Sequence, residues 1–490
     1  MALSDELAYL SATELLARIR ARQLSPLEVL EATCERIEER NPSLNALVFE
    51  AFDEARVQAR EAQRRRERRE APQPLHGLPT ATKDLYGFVP GWSATYGGIP
   101  SLRDHRPPQL SLWAERMQRA GAVVLGKTNS PVLGFRGTTD NPLFGPTRNP
   151  FDAARNSGGS SGGAAAAVAD GLLAMAHASD GGGSIRIPAS CCGIYGFKGS
   201  FGRVPLVGRP NAFGGASPFR FEGVLTRTVA DAALAMTVLA GPHARDPFSF
   251  SEPLDWLGAL EDGVGSMRIA YTPDYRVFPV EPAVTEVVER AVRAFEEGGA
   301  RVEQVDLPPL PDQHELSDVW CRLVIPAHIA QLRTLGAQGL DVVGELPPAH
   351  RHWLEIGERL EVGDTVRDQV LRTEVFDALT TVFTKYDLLV GPTLCCLPPR
   401  NADDRDTVGP SEIQGVAVDE LIGWCPTYLA NFSGHPAASV PAGLSGGLPV
   451  GMQIMGRRAA DADVIAASAV FERLRPWSYG IPAARDVSHA

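Results

Sequence analysis

Two serine–glycine clusters carry side chains that could do covalent chemistry in this sequence. The first, Gly158–Gly163, contains Ser160 and Ser161 and matches the pattern Gly-x-Ser-x-Gly twice. The second places Ser184 after three consecutive glycines, which let backbone amides approach a ligand closely. Amides that converge on one point can hold a developing oxyanion. Ser184 is therefore a candidate nucleophile for attack on a carbonyl, with a tight turn of no chemical role as the alternative.

A serine hydroxyl is a poor nucleophile without a base, and the sequence offers a lysine for that role. Lys83 ends a short apolar run that begins at Gly77. A free lysine has a pKa of about 10.4, but burial can lower this value by several units. A buried lysine can then take a proton from serine at neutral pH. The alternative interpretation is an ordinary salt-bridged lysine.

Two other kinds of site fit the serine clusters less well. A Ser-His-Asp esterase, with His435 as its base, needs a buried strand directly before the serine, because the strand-to-helix turn exposes the hydroxyl. Residues 147–156, which precede the first cluster, are polar and interrupted by proline. A phosphate loop needs Gly-Lys-Ser or Gly-Lys-Thr at the start of a helix, and no helical pattern opens at Ser184.

Short apolar runs indicate the elements that position these residues. The runs at 77–83, 121–126 and 172–178 fit strands buried on both faces, and an alanine-rich helix over about 164–170 separates the serine clusters. Farther along, the pattern predicts a helix over 282–297 and strands over 267–271, 301–307, 386–390, 437–440 and 450–455. Because strands and helices alternate, the sequence predicts an α/β fold.

The N-terminal part carries explicit helix start signals. Ser11 with Glu14, and Ser25 with Glu28, have the spacing of capping boxes. Apolar residues then recur at helical spacing, so we expect this segment to pack one face on a larger body. Residues 309–364 are mixed in character, and an insertion of this kind could line a substrate entrance.

Composition excludes several classes of function. The net charge of −12 argues against a nucleic-acid partner, which normally calls for a basic face. No stretch reaches the about 18–20 apolar residues of a membrane span. Seven cysteines, an odd number thinly spread, suit a reducing cytoplasm better than a disulfide framework. Cys191 and Cys192 lack the spacing of a metal site, so we expect them to be buried small residues.

In order and in spacing, the run from Gly158 to Lys198 resembles the signature of the amidase-signature family. Gly-Gly-Ser-Ser-Gly-Gly, an alanine-rich helix, Ser-Asp-x-Gly-Gly-Ser-Ile-Arg-x-Pro-Ala and Cys-Gly-x-x-Gly-x-Lys follow one another. The resemblance extends over about residues 10–475. It implies an α/β amidase-signature fold, with a mixed central β-sheet surrounded by α-helices. It also implies a single amidase domain over 1–490, with a helical segment, 1–70, packed on it and a signature core at 158–198.

The resemblance also implies roles for individual residues. Ser184 matches the acylating serine, Lys83 the general base, and Ser160 the bridging serine, which in the family follows an unusual cis peptide bond. The further residues that match are the oxyanion-hole glycines Gly181, Gly182 and Gly183, and the supporting residues Ser161, Asp180 and Arg186. The implied reaction is hydrolysis of a small-molecule carboxylic amide through an acyl-enzyme, with release of ammonia or an amine. No cofactor and no metal are implied, and family analogy suggests a homodimer.

The string from Gly181 to Gly193, with His177 just upstream, resembles a bacterial branch that includes 6-aminohexanoate-cyclic-dimer hydrolases. His177 by itself fits a satisfied core histidine better than a catalyst. The runner-up function is the A subunit of a glutamyl-tRNA amidotransferase, against which Gly199 counts, because the family commonly has proline after the lysine. A non-catalytic binding protein on the same fold is a third alternative. It gives no reason to retain a buried lysine and its serine partners.

Overall fold

The computed structural model describes residues 3–477. Its helices, in chain order, are α1 (Leu3–Leu7), α2 (Ala12–Arg20), α3 (Pro26–Leu44), α4 (Phe52–Glu67), α5 (Leu112–Arg119), α6 (Gly162–Ala169), α7 (Arg186–Cys192), α8 (Val229–Leu239), α9 (Pro282–Val292), α10 (Ala294–Glu297), α11 (Gln313–Gly336), α12 (Pro348–Gly357), α13 (Val362–Phe383), α14 (Leu429–Ser433) and α15 (Asp461–Leu474). No helix in this part of the chain is long and apolar enough to cross a membrane.

The strands form one large sheet, one small sheet and two short ribbons. In chain order they are β1 (Leu47–Glu50), β2 (Pro79–Lys83), β3 (Val123–Thr128), β4 (Arg148–Asn149), β5 (Asp152–Asn156), β6 (Met175–Asp180), β7 (Tyr195–Lys198), β8 (Phe221–Thr226), β9 (Arg268–Tyr271), β10 (Arg301–Gln304), β11 (Leu388–Pro392), β12 (Glu412–Ile413), β13 (Val416–Ala417), β14 (Ala437–Ser445) and β15 (Leu448–Gly456).

The large sheet has eight strands in the order β10-β9-β11-β15-β14-β7-β8-β6. Strands β10, β9 and β11 run parallel, and the remaining neighbours pair antiparallel. A two-residue turn, Gly446-Gly447, joins β14 to β15, and both glycines have the positive φ that tight hairpin turns require. Helices surround this mixed sheet, so the predicted α/β fold class is confirmed.

The small sheet places β3 between β1 and β2 and delivers Lys83 to the large sheet. The Thr80 hydroxyl of β2 donates to the backbone carbonyl of Met175 on β6 at 3.1 Å, which joins the two sheets. Helix α6 lies against this junction with every residue buried, because its alanines and glycines are small enough to allow close packing. The end of β2 and the start of α6 therefore meet beside β6.

Two N-terminal helices, α2 and α3, begin where the capping signals predict. Both capping boxes are present, Ser11 with Glu14 and Ser25 with Glu28. Arg40 on α3 forms an ion pair with Asp170 at 2.8 Å, just past the end of α6. The single domain expected over 1–490 includes residues 1–2 and 478–490, which lie outside the described residues.

Two local predictions differ from the structure, and one stretch without a predicted element is helical. The expected helix over 282–297 is two helices, α9 and α10, with a break at Arg293. A helix, α7, does begin at Arg186, two residues after Ser184. Pro188 hides it from pattern analysis, although proline is tolerated in a first turn where its missing N–H has no intrahelical partner. The unassigned residues 309–364 contain α11 and α12.

Candidate active site

Lys83 lies at the end of β2 with its ammonium group among hydroxyls. Its side chain is 0% exposed. Nζ donates to Ser160 Oγ at 2.6 Å, to Ser161 Oγ at 3.0 Å and to Ser179 Oγ at 3.2 Å. Among the described residues no carboxylate lies within ion-pair distance of Nζ, so the salt-bridged alternative does not hold for this lysine. The charged form has three hydrogen bonds but no counter-ion to offset the cost of burial.

Burial lowers the pKa of Lys83 to about 7. Two carboxylates at longer range, Glu222 and Asp180, oppose this effect and raise the pKa, whereas Arg220 lowers it further. A substantial fraction of Lys83 is therefore neutral at physiological pH. A neutral amine held against a serine hydroxyl can accept that hydroxyl's proton.

A histidine and a glutamate support the backbone of Lys83 from the side. The Lys83 N–H donates to His177 Nδ1 at 3.1 Å, and His177 Nε2 lies 2.6 Å from Glu222 Oε2. Because Nδ1 accepts this bond, the ring proton lies on Nε2 and is donated to the Glu222 carboxylate. The Trp113 ring stacks on the imidazole at 4.5 Å between centroids. His177 is thus a core histidine whose two ring nitrogens both have hydrogen-bond partners. The residue whose backbone it contacts, Lys83, is the candidate base.

The first serine cluster turns sharply before α6. The Gly159–Ser160 peptide bond is cis, as the family resemblance implies. Gly159 packs so closely on the backbone of Thr138 that a Cβ there would lie 2.3 Å from the Thr138 carbonyl oxygen. Ser160 and Ser161 follow one another in this turn, and both hydroxyls accept a hydrogen bond from Lys83 Nζ.

The second cluster is organised by a buried ion pair. Both Asp180 oxygens accept from the Arg186 guanidinium at 3.0 Å, and both residues are 0% exposed. Burial alone would raise the pKa of Asp180, but Arg186 holds it below its ordinary value. Arg186 also donates to three distant groups, the Thr427 carbonyl, Asn431 Oδ1 and Gln453 Oε1. This network fixes the glycine loop that leads to Ser184.

The amides of the glycine loop divide into one occupied donor and three free ones. The Gly183 N–H donates to Asp180 Oδ1 at 2.7 Å, which differs from the expectation that all three glycines serve an oxyanion. Within residues 3–477, the N–H groups of Gly181, Gly182 and Ser184 have no partner. The Ser184 hydroxyl likewise has none there, so the link from Ser184 to Ser160 is not formed. A Cβ built on Gly181 would meet no heavy atom within 4 Å, so this side of the loop is open.

Side chains from later in the chain hold the loop carbonyls. Trp320 Nε1 donates to the Gly181 carbonyl at 3.0 Å, and the Thr427 hydroxyl donates to the Gly182 carbonyl at 2.7 Å. The Phe135 ring stacks on Trp320 at 5.5 Å between centroids. The Gly181 carbonyl shares a planar peptide unit with the Gly182 N–H, so the bond from Trp320 fixes that N–H in the opposite direction. The aromatic rings of Trp320 and Phe135 therefore lie beside the glycine loop.

The structure brings Lys83, Ser160 and Ser161 into contact, and it joins the loop from Gly181 to Ser184 to Asp180 and Arg186 in a second network. It also adds residues that the sequence did not indicate. Ser179 could have been found from strand alternation, because it lies two residues from His177 on the same face of β6. Glu222 and Trp320 carry no local signal. His435, the base of the alternative esterase, packs against Phe383, and within the described residues it makes no hydrogen bond to either serine cluster.

Within 3–477, no three His, Cys, Asp or Glu side chains come close enough together to hold a metal ion. Cys191 and Cys192 are both 0% exposed, and burial raises the pKa of each thiol. They are buried small residues, as the sequence predicts.

The chain resembles amidases and related enzymes over nearly its whole length. An amidase family model matches residues 28–465. Acylamidase from Rhodococcus erythropolis is 37% identical over 486 residues, which cover 98% of each chain. The A subunit of glutamyl-tRNA(Gln) amidotransferase from Carboxydothermus hydrogenoformans is 32% identical over 96% of this chain and 98% of its own. The protein is thus an amide hydrolase that acts on carbon–nitrogen bonds. It belongs to the amidase-signature family.

Solved structures refine the relationship. A bacterial aryl acylamidase of the amidase-signature family is 50% identical, has a TM-score of 0.96, and is matched over 98% of this chain and 99% of its own. A 6-aminohexanoate cyclic dimer hydrolase complexed with its substrate is 26% identical with a TM-score of 0.84, over 96% of this chain and 98% of its own. The predicted resemblance to the latter enzyme is confirmed at the level of the family. The similarity to the aryl acylamidase is greater.

Proposed function

We propose that this protein hydrolyses N-acylated aromatic amines through an acyl-enzyme on Ser184. The similarity to an aryl acylamidase over nearly the whole chain supports this substrate class. The stacked Phe135 and Trp320 rings beside the glycine loop supply an aromatic surface of the kind that would receive an aryl group.

One observation carries the proposal: in the described part of the chain, the buried Lys83 has no counter-ion and contacts a serine hydroxyl. Lys83 Nζ is 2.6 Å from Ser160 Oγ, and burial lowers its pKa to about 7. A lysine kept only for stability would be paired with a carboxylate, because an unpaired buried charge is costly. The arrangement is that of a base prepared to accept a proton at neutral pH.

In the proposed reaction, Ser184 Oγ attacks the amide carbonyl carbon as its proton passes to Ser160. Ser160 gives its own proton to neutral Lys83, so the relay needs Ser184 Oγ to turn toward Ser160 when the substrate binds. The tetrahedral oxyanion accepts hydrogen bonds from the free amides of Gly181, Gly182 and Ser184, while Asp180 keeps Gly183 in place. The C–N bond then breaks, and the proton returns from Lys83 through Ser160 to the leaving nitrogen. Water hydrolyses the ester on Ser184 along the same proton path.

The test is hydrolysis of acetanilide and its relatives by the purified chain and by Ser184→Ala. The variant should lose at least about 10⁴-fold in kcat/KM while its thermal unfolding stays the same. Ser468→Ala is a matched control, because Ser468 is also buried and its hydroxyl donates to the Val464 carbonyl within α15. Mass spectrometry of the acid-quenched wild type should show an acyl group on the peptide that contains Ser184. Turnover by Ser184→Ala near the wild-type rate would overturn the assignment of the nucleophile.

The amidotransferase subunit is a second candidate, because a protein of that name is similar over almost its whole length. The two functions are separated by the same purified chain. An amidotransferase subunit would release ammonia from glutamine and leave anilides intact. Rapid hydrolysis of anilides without added proteins favours the stand-alone acylamidase and excludes a purely binding role.

A further inference from the structure

Arg220 lies at the open end of the glycine loop. Strands β6 and β8 pair antiparallel as far as Asp180 opposite Phe221, and Gly181 and Arg220 are the next residues beyond that pair on the two chains. The Arg220 guanidinium lies over the ring of Tyr86, which follows Lys83 by three residues, and its charge lowers the pKa of Lys83. Glu222 is opposite Ser179, whose hydroxyl accepts from Lys83 Nζ. Arg220 is thus on the side of the sheet that carries the candidate base.

The guanidinium of Arg220 has no anionic partner in the described part of the chain. It lies over the Tyr86 ring at 4.7 Å from the centroid. Its Nε is buried and makes no hydrogen bond, and no described carboxylate lies within 4 Å of the group. The nearby Glu222 carboxylate is engaged by His177 instead. A buried donor without an acceptor costs free energy, which a ligand could recover.

Two buried arginines near the site have acceptors for their donors, whereas the half-buried Arg220 has no acceptor among the described residues. Arg186 donates to Asp180 and to three further oxygens. Arg372 lies over the Phe219 ring and donates to the backbone carbonyls of Phe432 and Ala216. Arg220 has the same stacking on an aromatic ring but lacks the acceptors. The positive charge of Arg220 lowers the pKa of both Lys83 and His328, so Arg220 is one of the groups that surround the site.

We propose that Arg220 binds a carboxylate carried by the substrate, so that the preferred substrates are anionic amides. This inference rests on the proposed function and names its substrate class more closely. The planar guanidinium matches a carboxylate with two parallel hydrogen bonds, and the open side of Gly181 gives the ligand room beside it. The carboxylate can belong to the acyl part, as in the anilide of a dicarboxylic acid, or to the amine part, as in an N-acyl aminobenzoate.

Two matched substrate pairs test this directly. For the amine side, 4-acetamidobenzoate is compared with 4-nitroacetanilide, whose nitro group has the shape of a carboxylate without its charge. For the acyl side, succinic acid monoanilide is compared with levulinic acid anilide, in which a methyl ketone replaces the carboxylate. The measured quantity is the ratio of kcat/KM for the charged and the neutral member. Wild type should favour the charged member of at least one pair by between about ten- and a hundredfold.

Variants then separate Arg220 from general electrostatics. Arg220→Gln should remove the preference for the charged member, and Arg220→Lys should retain part of it, because charge remains but the fork geometry is lost. Arg60→Gln removes the same charge from the exposed face of α4 and should keep the wild-type ratio. An equal loss on both members in Arg220→Gln, or no charge preference in wild type, would overturn the inference. If neutral anilides are still hydrolysed in a Ser184-dependent way, the proposed function survives that result.

A binding measurement decides the case without turnover. Calorimetry with benzoate and with succinate, on wild type and on folded Arg220→Gln and Arg220→Lys, should show binding of at least one anion that weakens at least about tenfold in Arg220→Gln. Equal binding by wild type and both variants, or binding by none of them, would count against Arg220 even if no amide is hydrolysed. Absence of all amide hydrolysis, together with Arg220-dependent anion binding, would refute only the proposed function.

Discussion

Two lysines on neighbouring strands are equally buried but face different surroundings. Lys83 on β2 is 0% exposed, and Lys127 on β3 is 1% exposed. Lys127 Nζ forms an ion pair with Asp84 at 3.1 Å and also donates to the Ser93 carbonyl. Among residues 3–477, Lys83 Nζ has only serine hydroxyls at hydrogen-bond distance. Burial is common to both, so the missing counter-ion is what distinguishes a candidate base from a structural lysine.

The two sites also differ in how their partners are supplied. Asp84, which immediately follows Lys83 in the sequence, turns away from it and pairs with Lys127. Thr95 donates to the same carboxylate, so Asp84 is fully engaged by the second site. A carboxylate so close in sequence to the base is therefore kept from neutralising it. The same residues would make a simple salt bridge if Asp84 faced the other way.

The largest expected effect comes from replacing the unpaired lysine. Lys83→Met should lower kcat/KM at neutral pH by about 10²–10⁴-fold, because the relay loses its base. Its stability should change in the opposite direction. The folded pKa of about 7 lies below the ordinary value of Lys83, so the charged form at pH 7 and below is costly only in the folded chain. Without that cost, the free energy of unfolding at pH 7 should rise by about 1–2 kcal/mol.

Denaturant titration and steady-state kinetics on the same samples measure both quantities. In wild type the free energy of unfolding should increase between pH 7 and the ordinary lysine range, since the unfolded chain binds a proton that the folded chain releases. Lys83→Met should lose that slope. Lys385→Met is the matched control, because Lys385 is exposed on the surface. A near-wild-type rate in Lys83→Met would show that another group serves as base.

The paired lysine should respond with the opposite sign of stability change. Lys127→Met leaves Asp84 buried without a counter-ion, so the free energy of unfolding should fall by about 3–5 kcal/mol. The double variant Lys127→Met with Asp84→Asn should recover part of this loss, because no buried charge remains unpaired. Equilibrium unfolding in denaturant measures both. A loss below about 1 kcal/mol would mean that the ion pair contributes as little as one on the surface.

The sequence predicts the parts of this comparison that local pattern can carry. Lys83 ends an apolar run, and the spacing of Ser160 and Ser184 indicates two turns rich in glycine, so their placement follows from neighbouring residues. Ser11 and Ser25 indicate where their helices begin, because each forms a capping box with a glutamate three residues later. In each case the physical cause lies within a few positions along the chain.

What the sequence could not supply are contacts made by tertiary packing. Asn431 and Gln453 reach Arg186 from more than 240 positions away, and no periodicity relates them. Asp84 is adjacent to Lys83, yet it pairs with Lys127 because of how the two strands pack. The sequence pattern does not indicate α7, because Pro188 lies in its first turn and proline normally signals that a helix ends. Whether a buried lysine has a counter-ion is therefore decided by the fold.

The smallest expected effect is a shift in pH dependence through Glu222. Activity should rise with pH through about 7, since only neutral Lys83 accepts a proton. Glu222 raises the pKa of Lys83, as Asp180 does, whereas Arg220 lowers it. Glu222→Gln removes one negative charge but keeps an oxygen that can accept from His177 Nε2. The pKa of Lys83 should fall, and the acid limb of kcat/KM against pH should move to lower pH.

The pH profile distinguishes this electrostatic role from a structural one. Damage to the His177 contact would lower the rate at every pH without moving the limb, whereas loss of the charge moves the limb itself. Glu286→Gln, at an exposed position on α9, should leave the profile in place. An acid limb that stays fixed in Glu222→Gln would mean that this carboxylate is not felt at Lys83. The contrast with Lys127 would then depend on the missing contact partner alone, with no contribution from charges at longer range.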